Sequence, residues 1–453
     1  MRKPVSVDLN LMFAPAVKKG LDADAFRAMA SAASTAVHGV SALVEKGTLG
    51  FVTLPDDEAL AEQAMALGAR LRARFDTFVV LGIGGSSLGG RTLMRALAPD
   101  ARVIFLDNVD PDGFLHAIDR LDLDKTVFNV ISKSGGTVET AAQFCVVRDR
   151  LKRTFGDAGY RERMVATTDP SEGLMRKIAD GEGLETLSVP QNVGGRFSVL
   201  SAVGLLPAAF AGIDVHALLA GARAMRERTV TPDLAHNPAL AIAASHVLAM
   251  QSGRPIHVMM PYRDALRPFS EWYAQLWGES LGKALSTSGA QIHVGPTPVA
   301  ALGTTDQHSQ VQLYIEGPHD KVVTFLAVTD GARTLPFPDD VPEGYAYLRG
   351  HTMEKLLDAE QRGTALALAR EGRPSLTVTL PVLDAHSLGE LFFLYEQATA
   401  FAGSLLGIDA FDQPGVELGK KIAFALIGRP GFEAAIAGLE ALAKGTPEWR
   451  FEG

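Results

Sequence analysis

Val130-Ile-Ser-Lys-Ser-Gly-Gly-Thr-Val-Glu-Thr140 is an extended apolar run that breaks into hydroxyls and glycines just before a helix pattern begins. A strand-loop-helix start presents backbone N–H groups without partners and roughly half a positive charge, so it makes a cradle for an anion such as phosphate. Gly135 and Gly136 let the backbone come close to a ligand. Ser132, Ser134 and Thr137 offer hydroxyls, and Lys133 offers either a point charge or a structural contact. The plain alternative is an ordinary capped turn of a parallel-sheet protein, with Thr137 as helix N-cap and Glu139 in the first turn.

Working outward, Thr77-Phe-Val-Val-Leu-Gly82 is a second apolar run bounded by glycine, followed by a helix pattern over Gly90–Leu97 and a strand at Ala101–Leu106. Helix Asp112–Leu121, strand Lys125–Ile131, helix Thr137–Phe155 and strand Met164–Thr168 continue the alternation, which implies a parallel sheet covered on both faces. Ahead of it, Leu21–Lys46 and Asp56–Arg74 carry acids at their heads, as helices suited to their dipoles do. Beyond it come helices Asp214–Arg228 and Pro238–Met250 and a strand at Pro255–Met260. Further strands are expected at Val311–Ile315, Lys321–Val328 and Ser375–Leu380, separated by helices Leu266–Lys283, Thr352–Arg370, His386–Leu405 and Val416–Ile427. The chain therefore reads as two related α/β halves meeting near residues 210–235. No Ser/Gly-rich linker or charge tract separates them, so they are expected to pack tightly.

The totals agree. The chain has 453 residues, 47% of them hydrophobic, with 45 glycines, which suits a large globular α/β enzyme and argues against disorder. A net charge of −9 without a dense Lys/Arg tract makes nucleic acid an unfitting partner. Cys145 is the only cysteine, so no intrachain disulfide and no thiolate cluster can form, and a reducing cytoplasm is the expected home. Arg2 and Lys3 precede some apolar residues, but Asp8 and Pro15 interrupt them, a poor fit to a secretory signal. The longest uncharged run, Phe197 to Ile213, contains serines, glycines and Pro207 and suits a buried helix rather than a membrane span.

Other stretches can carry chemistry. Gly82-Ile-Gly-Gly-Ser-Ser-Leu-Gly-Gly90 follows the first strand, but Ser87 stands where a dinucleotide fingerprint needs its third glycine, and Arg91-Thr92 stand where a P-loop needs Lys and Ser/Thr. That loop alone is compatible with a sugar, a nucleotide or a structural turn. Two such loops at the carboxyl ends of strands in one sheet are more specific, because ligands of open α/β sheets bind outside that edge; Ser86 and the Ser132–Thr137 cradle then face one crevice. A sugar monophosphate suits it better than a triphosphate, since no aspartate-rich magnesium motif accompanies either loop. In Asn192-Val-Gly-Gly-Arg-Phe-Ser198, Arg196 is either a capping arginine or a fixed cation beside a developing oxyanion. Glu279 lies on a helix pattern with Gln275 and is crowded by Trp272, Leu276 and Trp277, which would raise its pKa toward that of a working base; the plain reading pairs it with Lys283 one turn on. His308 sits in a polar loop, and Gln413 and Lys420 flank an apolar segment. His386 and Glu390 are four apart but lack a third ligand, so no metal is assigned.

Taken together these stretches resemble the glucose-6-phosphate isomerase (phosphoglucose isomerase) family, in its shorter bacterial form, from about Gly82 to Lys420. The carriers are Gly82-Ile-Gly-Gly-Ser86, Ser132-Lys-Ser-Gly-Gly-Thr-Val-Glu-Thr140, Gly194-Gly-Arg-Phe-Ser198, Gly278-Glu-Ser-Leu-Gly-Lys283, Gln307-His308 and Asp412-Gln-Pro-Gly-Val-Glu417 with Lys420. The resemblance implies two sugar-isomerase (SIS) domains, each a mainly parallel sheet flanked by helices in a three-layer sandwich, over 51–225 and 226–430, with an N-terminal helical segment at 1–50 and a helical tail at 431–453. It implies interconversion of glucose 6-phosphate and fructose 6-phosphate, a step of glycolysis and gluconeogenesis, without metal or organic cofactor. By motif, Ser86, Ser132, Ser134 and Thr137 would hold the phosphate with the backbone of Lys133, while Gln275 and Gln413 would orient hydroxyls. Glu279 would be the base of a cis-enediol mechanism, Arg196 would stabilise its oxyanion, His308 would assist ring opening and Lys420 would handle a ring-oxygen or hydroxyl proton. The equivalent of His308 comes from the neighbouring subunit in this family, so a homodimer with shared sites is implied. Gly135 and Gly136 depart from the many relatives with a threonine there. The rivals are a non-catalytic phosphosugar-binding SIS regulator, which has no use for Glu279, Arg196 and His308 together, a nicotinamide dehydrogenase, and an isomerase that also accepts mannose 6-phosphate.

Overall fold

Every residue of Thr77–Leu81 is buried, as in a strand covered on both faces. The computed structural model describes residues 2–331, 333–439 and 442. Its strands in chain order are β1 Ser6–Asp8, β2 Thr77–Leu81, β3 Val103–Leu106, β4 Thr126–Ile131, β5 Met164–Thr168, β6 Glu185–Ser188, β7 Ile256–Pro261, β8 Lys283–Leu285, β9 Gln291–Val294, β10 Thr297–Ala300, β11 Lys321–Asp330 and β12 Ser375–Val382. One sheet runs β3-β2-β4-β5-β6, entirely parallel. The other runs β1-β12-β11-β7-β10 and is parallel except for β1, which lies antiparallel on β12.

Side-chain alternation gives each sheet two apolar faces. In β2, Phe78 and Val80 enter a large core that also receives Met259 of β7 and Leu376, Val378 and Leu380 of β12, so both sheets share one interior. The opposite faces are covered separately: Val79 and Leu81 pack with Phe144, Val147 and Leu151, and Val258, Met260 and Phe325 with Tyr314 and Leu368. The helix Ala385–Leu405 runs through the shared interior almost wholly buried, setting Phe392 edge-to-face against Trp272 at 4.8 Å between ring centroids. Mainly parallel sheets flanked by helices are the expected architecture, and one continuous core accounts for the tight packing of the halves.

Several expectations are corrected. Val311–Ile315 is not a strand but the helix Val311–Glu316; its Val-Gln-Leu-Tyr-Ile pattern satisfies both periods, and the chain closes a helical turn with Tyr314 buried. The strand position falls instead to β10. The helix expected over Leu21–Lys46 is divided into Ala23–Ala28 and Ala30–Glu45. The extended start holds β1, so the N-terminal segment completes the second sheet. In contrast, the helix from Val138 breaks at Gly156, where φ is +68°, in line with an end at Phe155. The helical tail over 431–453 lies largely outside the described residues; Glu433–Ile436 within it form a 3-10 turn.

Candidate active site

The carboxyl ends of β2, β4 and β5 turn into loops that meet over one cleft of about 600 Å³. After β2, Gly84 has φ +60°, and a Cβ there would stand 2.8 Å from Nε2 of Gln275. A Cβ on Gly85 would lie 2.1 Å from the Gly195 carbonyl oxygen. Glycine at these positions therefore lets the loop carrying Ser86 lie directly on the Gly195–Phe197 turn and on the helix Arg267–Leu281 that bears Gln275 and Glu279.

After β4 the strand, loop and helix follow one another as expected. Gly135 has φ +72°, and a Cβ there would meet the Met175 nitrogen at 2.3 Å, so this position requires glycine. Ser132 Oγ accepts from the Gly135 N–H and Ser134 Oγ from the Gly136 N–H, both at 3.1 Å. Thr137 occupies the N-cap position of the following helix, yet its side chain makes no capping hydrogen bond and lines the cleft. Its hydroxyl is thereby not spent on capping the helix. Lys133 resolves toward the structural contact: Nζ donates to the carbonyls of Gln191 at 2.6 Å and Val193 at 3.1 Å. Burial lowers its pKa, against the pull of Asp169.

Arg196 is fixed on every side. Nε donates to Ser280 Oγ at 2.7 Å, Nη1 to Gln413 Oε1 at 2.9 Å, and Nη2 to the carbonyls of Ala410 at 2.6 Å and Asp412 at 3.0 Å. Glu279 Oε2 lies 3.5 Å from Nη1, and Glu279 Oε1 accepts from Gln275 Nε2 at 3.4 Å. The aromatic crowding expected of Glu279 is corrected here: Trp272 and Trp277 turn into the core, Trp277 donating to His257 Nδ1 at 3.0 Å, because the helix presents its polar face to the cleft. Lys283 does not pair with the Glu279 carboxylate either. Nζ donates to the main-chain carbonyls of Glu279 at 2.7 Å and Asp412 at 2.9 Å, tying the end of this helix to the segment that carries Gln413.

Ser86, Ser132, Lys133, Ser134, Thr137, Gln413 and Lys420 all line the cleft; Arg196, Glu279 and Gln275 do not, but Arg196 bonds Gln413, Glu279 lies against Arg196 and Gln275 lies against Gly84. Lys420 Nζ is held 2.9 Å from Glu417 Oε1. His308 is not brought in. It is exposed at the end of the 3-10 turn Thr305–His308 and is absent from the cleft lining. Its turn is nonetheless braced: Asp306 accepts from the Leu302 N–H at 2.7 Å, and Gln307 bonds Tyr262 at 2.7 Å and Glu360 at 2.8 Å. A roomier cavity of about 700 Å³ runs along Arg91, Arg267 and Thr305, but it lies away from both glycine loops. Sequence reasoning missed Asp169 and Ser280. Asp169 lines the cleft; burial works to raise its pKa, and hydrogen bonds from the N–H groups of Ser171 and Glu172 outweigh that and lower it. Its place directly after β5 is the available signal. His386 Nδ1 lies 3.7 Å from Glu390 Oε2, and among the described residues no group of three or more His, Cys, Asp or Glu gathers to hold a metal.

The model of the family described as phosphoglucose isomerase matches residues 68–445. The chain belongs to the phosphoglucose isomerase family. A glucose-6-phosphate isomerase of Carboxydothermus hydrogenoformans is 43% identical over 450 residues, covering 95% of this chain and 96% of that protein. A crystal structure of a hypothetical protein from Thermus thermophilus superposes with a TM-score of 0.85 at 36% identity, covering 94% of this chain and 100% of that one. The crystal structure of a glucose-6-phosphate isomerase from Chlamydia trachomatis gives 0.74 at 28% identity, covering 85% and 77%. Membership of the phosphoglucose isomerase family makes the chain an isomerase and disposes of the dehydrogenase reading of the first glycine loop.

Proposed function

We propose that this chain interconverts glucose 6-phosphate and fructose 6-phosphate by proton transfer through a cis-enediol, serving glycolysis and gluconeogenesis in the cytoplasm. The observation that carries the mechanism is the partly exposed carboxylate of Glu279 set 3.5 Å from the buried guanidinium of Arg196, which four hydrogen bonds hold in place beside a hydroxyl-lined cleft. The phosphate binds in the cradle of Ser86, Ser132, Ser134 and Thr137, on N–H groups and hydroxyls, with Lys133 bracing the loop. Glu279 takes the proton from C2 of the aldose and returns it to C1, the reverse holding for the ketose. Such a positioned base contributes about 10²–10⁴ in rate. As the proton leaves, charge grows on the substrate oxygen, and Arg196 meets it without reorganising. Gln275 and Gln413 orient hydroxyls, and Lys420 moves the ring-oxygen or hydroxyl proton.

His308 assists ring opening from the neighbouring subunit of a homodimer, a role supported by its exposure on a braced turn away from its own chain's cleft. The halves at 51–225 and 226–430 act as two SIS domains, the first supplying the phosphate cradle and Arg196, the second Glu279, Gln413 and Lys420. The test is conversion of fructose 6-phosphate by purified protein without added metal, beside Glu279→Gln and with mannose 6-phosphate as parallel substrate. Turnover in the wild type that vanishes in the variant is expected. A folded wild type that binds the sugar phosphate without turning it over makes the chain a phosphosugar-binding regulator instead.

A further inference from the structure

The carboxyl edge of the second sheet carries a crevice that this reaction leaves unused. About 420 Å³ in size, it opens where β7 and β11 end, between β12 and the helix Met353–Arg370. Ligands of open α/β sheets bind along this edge, and the first sheet's cleft occupies the corresponding one. Alternation along β12 sends Leu376, Val378 and Leu380 into the shared core, which turns Thr377 and Thr379 to the other face, where both line the crevice. Gln361 also lines it; the residue is only 5% exposed, yet its amide is not sealed from solvent and makes no hydrogen bond among the described residues. An amide held in place by a packed side chain, open to a cavity and unpaired within the chain, is available to a polar group that enters it.

The charges around the crevice are unequally spent. Arg362 lies 3.6 Å from Asp358, and the Glu354 carboxylate accepts from the Leu335 N–H at 3.0 and 3.3 Å. Arg263 forms no ion pair among the described residues; Nη2 makes one long bond of 3.4 Å to the Val328 carbonyl. One guanidinium fork, one amide and two hydroxyls are thus left over. We propose that this crevice is a second ligand site, taking a small hydroxylated anion: a single phosphate or carboxylate on a short polyol. The anionic group binds the planar fork of Arg263, which matches either geometry, and the hydroxyls bind Gln361, Thr377 and Thr379. Glu354 and Asp358 at the crevice disfavour a ligand with a second charged group.

Calorimetric titration of the intact protein with glycerol 3-phosphate and with glycerate tests this, the stronger of the two identifying the anionic group. Three variants are compared with wild type: Arg263→Gln, Gln361→Met, which keeps the volume, and Ser134→Ala in the first cleft. Binding that weakens tenfold or more in Arg263→Gln and Gln361→Met, and that persists in Ser134→Ala, is expected. Should Gln361→Met fail to fold, Arg263→Gln decides alone, since its side chain is not fully buried. No binding of either probe to wild type, or binding that Arg263→Gln leaves unchanged, overturns the proposal.

Discussion

Nη1 of Arg196 and Oε2 of Glu279 lie 3.5 Å apart, yet the arginine side chain is 3% exposed and the glutamate 35%. The cation is walled in by four oxygen acceptors, while the carboxylate beside it keeps a third of its surface exposed. A reactive base and a fixed positive charge are thus separated by access rather than by distance, and each can be removed independently.

Replacing Glu279 by glutamine keeps the shape and the contact with Gln275 while removing the base. Turnover should fall by about 10³ or more, with KM for fructose 6-phosphate changing by less than roughly fivefold. Steady-state kinetics in both directions, with a thermal melt to confirm folding, provide the check.

Arg196→Lys should damage both stability and rate. Lysine reaches one or two of the oxygens now bonded and strands the rest, at about 1–3 kcal/mol for each unsatisfied group, and it loses the fixed fork, at about 10²–10³ in kcat. Urea unfolding and kcat measured on the same preparation would show the two losses together.

The glycine pair in the cradle should divide in its tolerance. Gly135→Ala places a side chain at φ +72° against the Met175 nitrogen and should cost about 1–3 kcal/mol. At Gly136 an added Cβ meets only Ser134 Oγ, at 3.3 Å. Gly136→Thr should therefore fold normally and lower KM for the sugar phosphate by a factor of about 3 through one more hydroxyl donor; an unchanged KM would mean that the hydroxyl does not reach the phosphate.

Two inactive variants should restore each other if the sites are shared. After mixing, unfolding and refolding Glu279→Gln with His308→Ala, half-and-half dimers would hold one site with both groups intact, giving roughly a quarter of wild-type activity. Activity no higher than the parents' would place His308 in its own chain's site or outside catalysis.

A pH-dependent penalty is built into the core at Glu396, whose carboxylate oxygens are buried without hydrogen-bond partners among the described residues. Burial pushes its pKa well above the ordinary carboxylate range. The folded chain keeps a proton that the unfolded chain releases above about pH 4.3, so this group's contribution is full below that point and is lost as pH rises toward the folded value. Glu396→Gln should therefore gain about 1 kcal/mol or more near pH 8 and little near pH 4, read from urea midpoints at the two pH values.

Continuous apolar runs between polar or turn-forming residues were legible as strands, which is why β2, β4, β5 and β7 lie where the sequence places them. Edge strands were uneven: β3 is Val-Ile-Phe-Leu and was legible, whereas β6 is Glu-Thr-Leu-Ser, half exposed, and gives no apolar run to detect. Val311–Ile315 misled because so short a run does not separate the two periods, and the chain closes it as part of the six-residue helix Val311–Glu316. Within the site, loop glycines and hydroxyls announced themselves through their clustering. Ser280, Asp169 and the bracing role of Lys133 depend on chain segments far apart in sequence, where no local pattern exists to read.

The grip of Arg196 on Ala410 and Asp412 also has a bearing on how the protein is made. Its guanidinium reaches a carbonyl 214 residues downstream. At ribosomal speeds of about 5–20 residues per second, that partner leaves the ribosome some 10–40 s after the arginine does. The first sheet can assemble during this interval, with its phosphate cradle formed and its arginine still ungripped. A nascent chain would then be able to hold substrate before it can convert it, and chemical competence would wait for the segment around Ala410 and Asp412 to arrive.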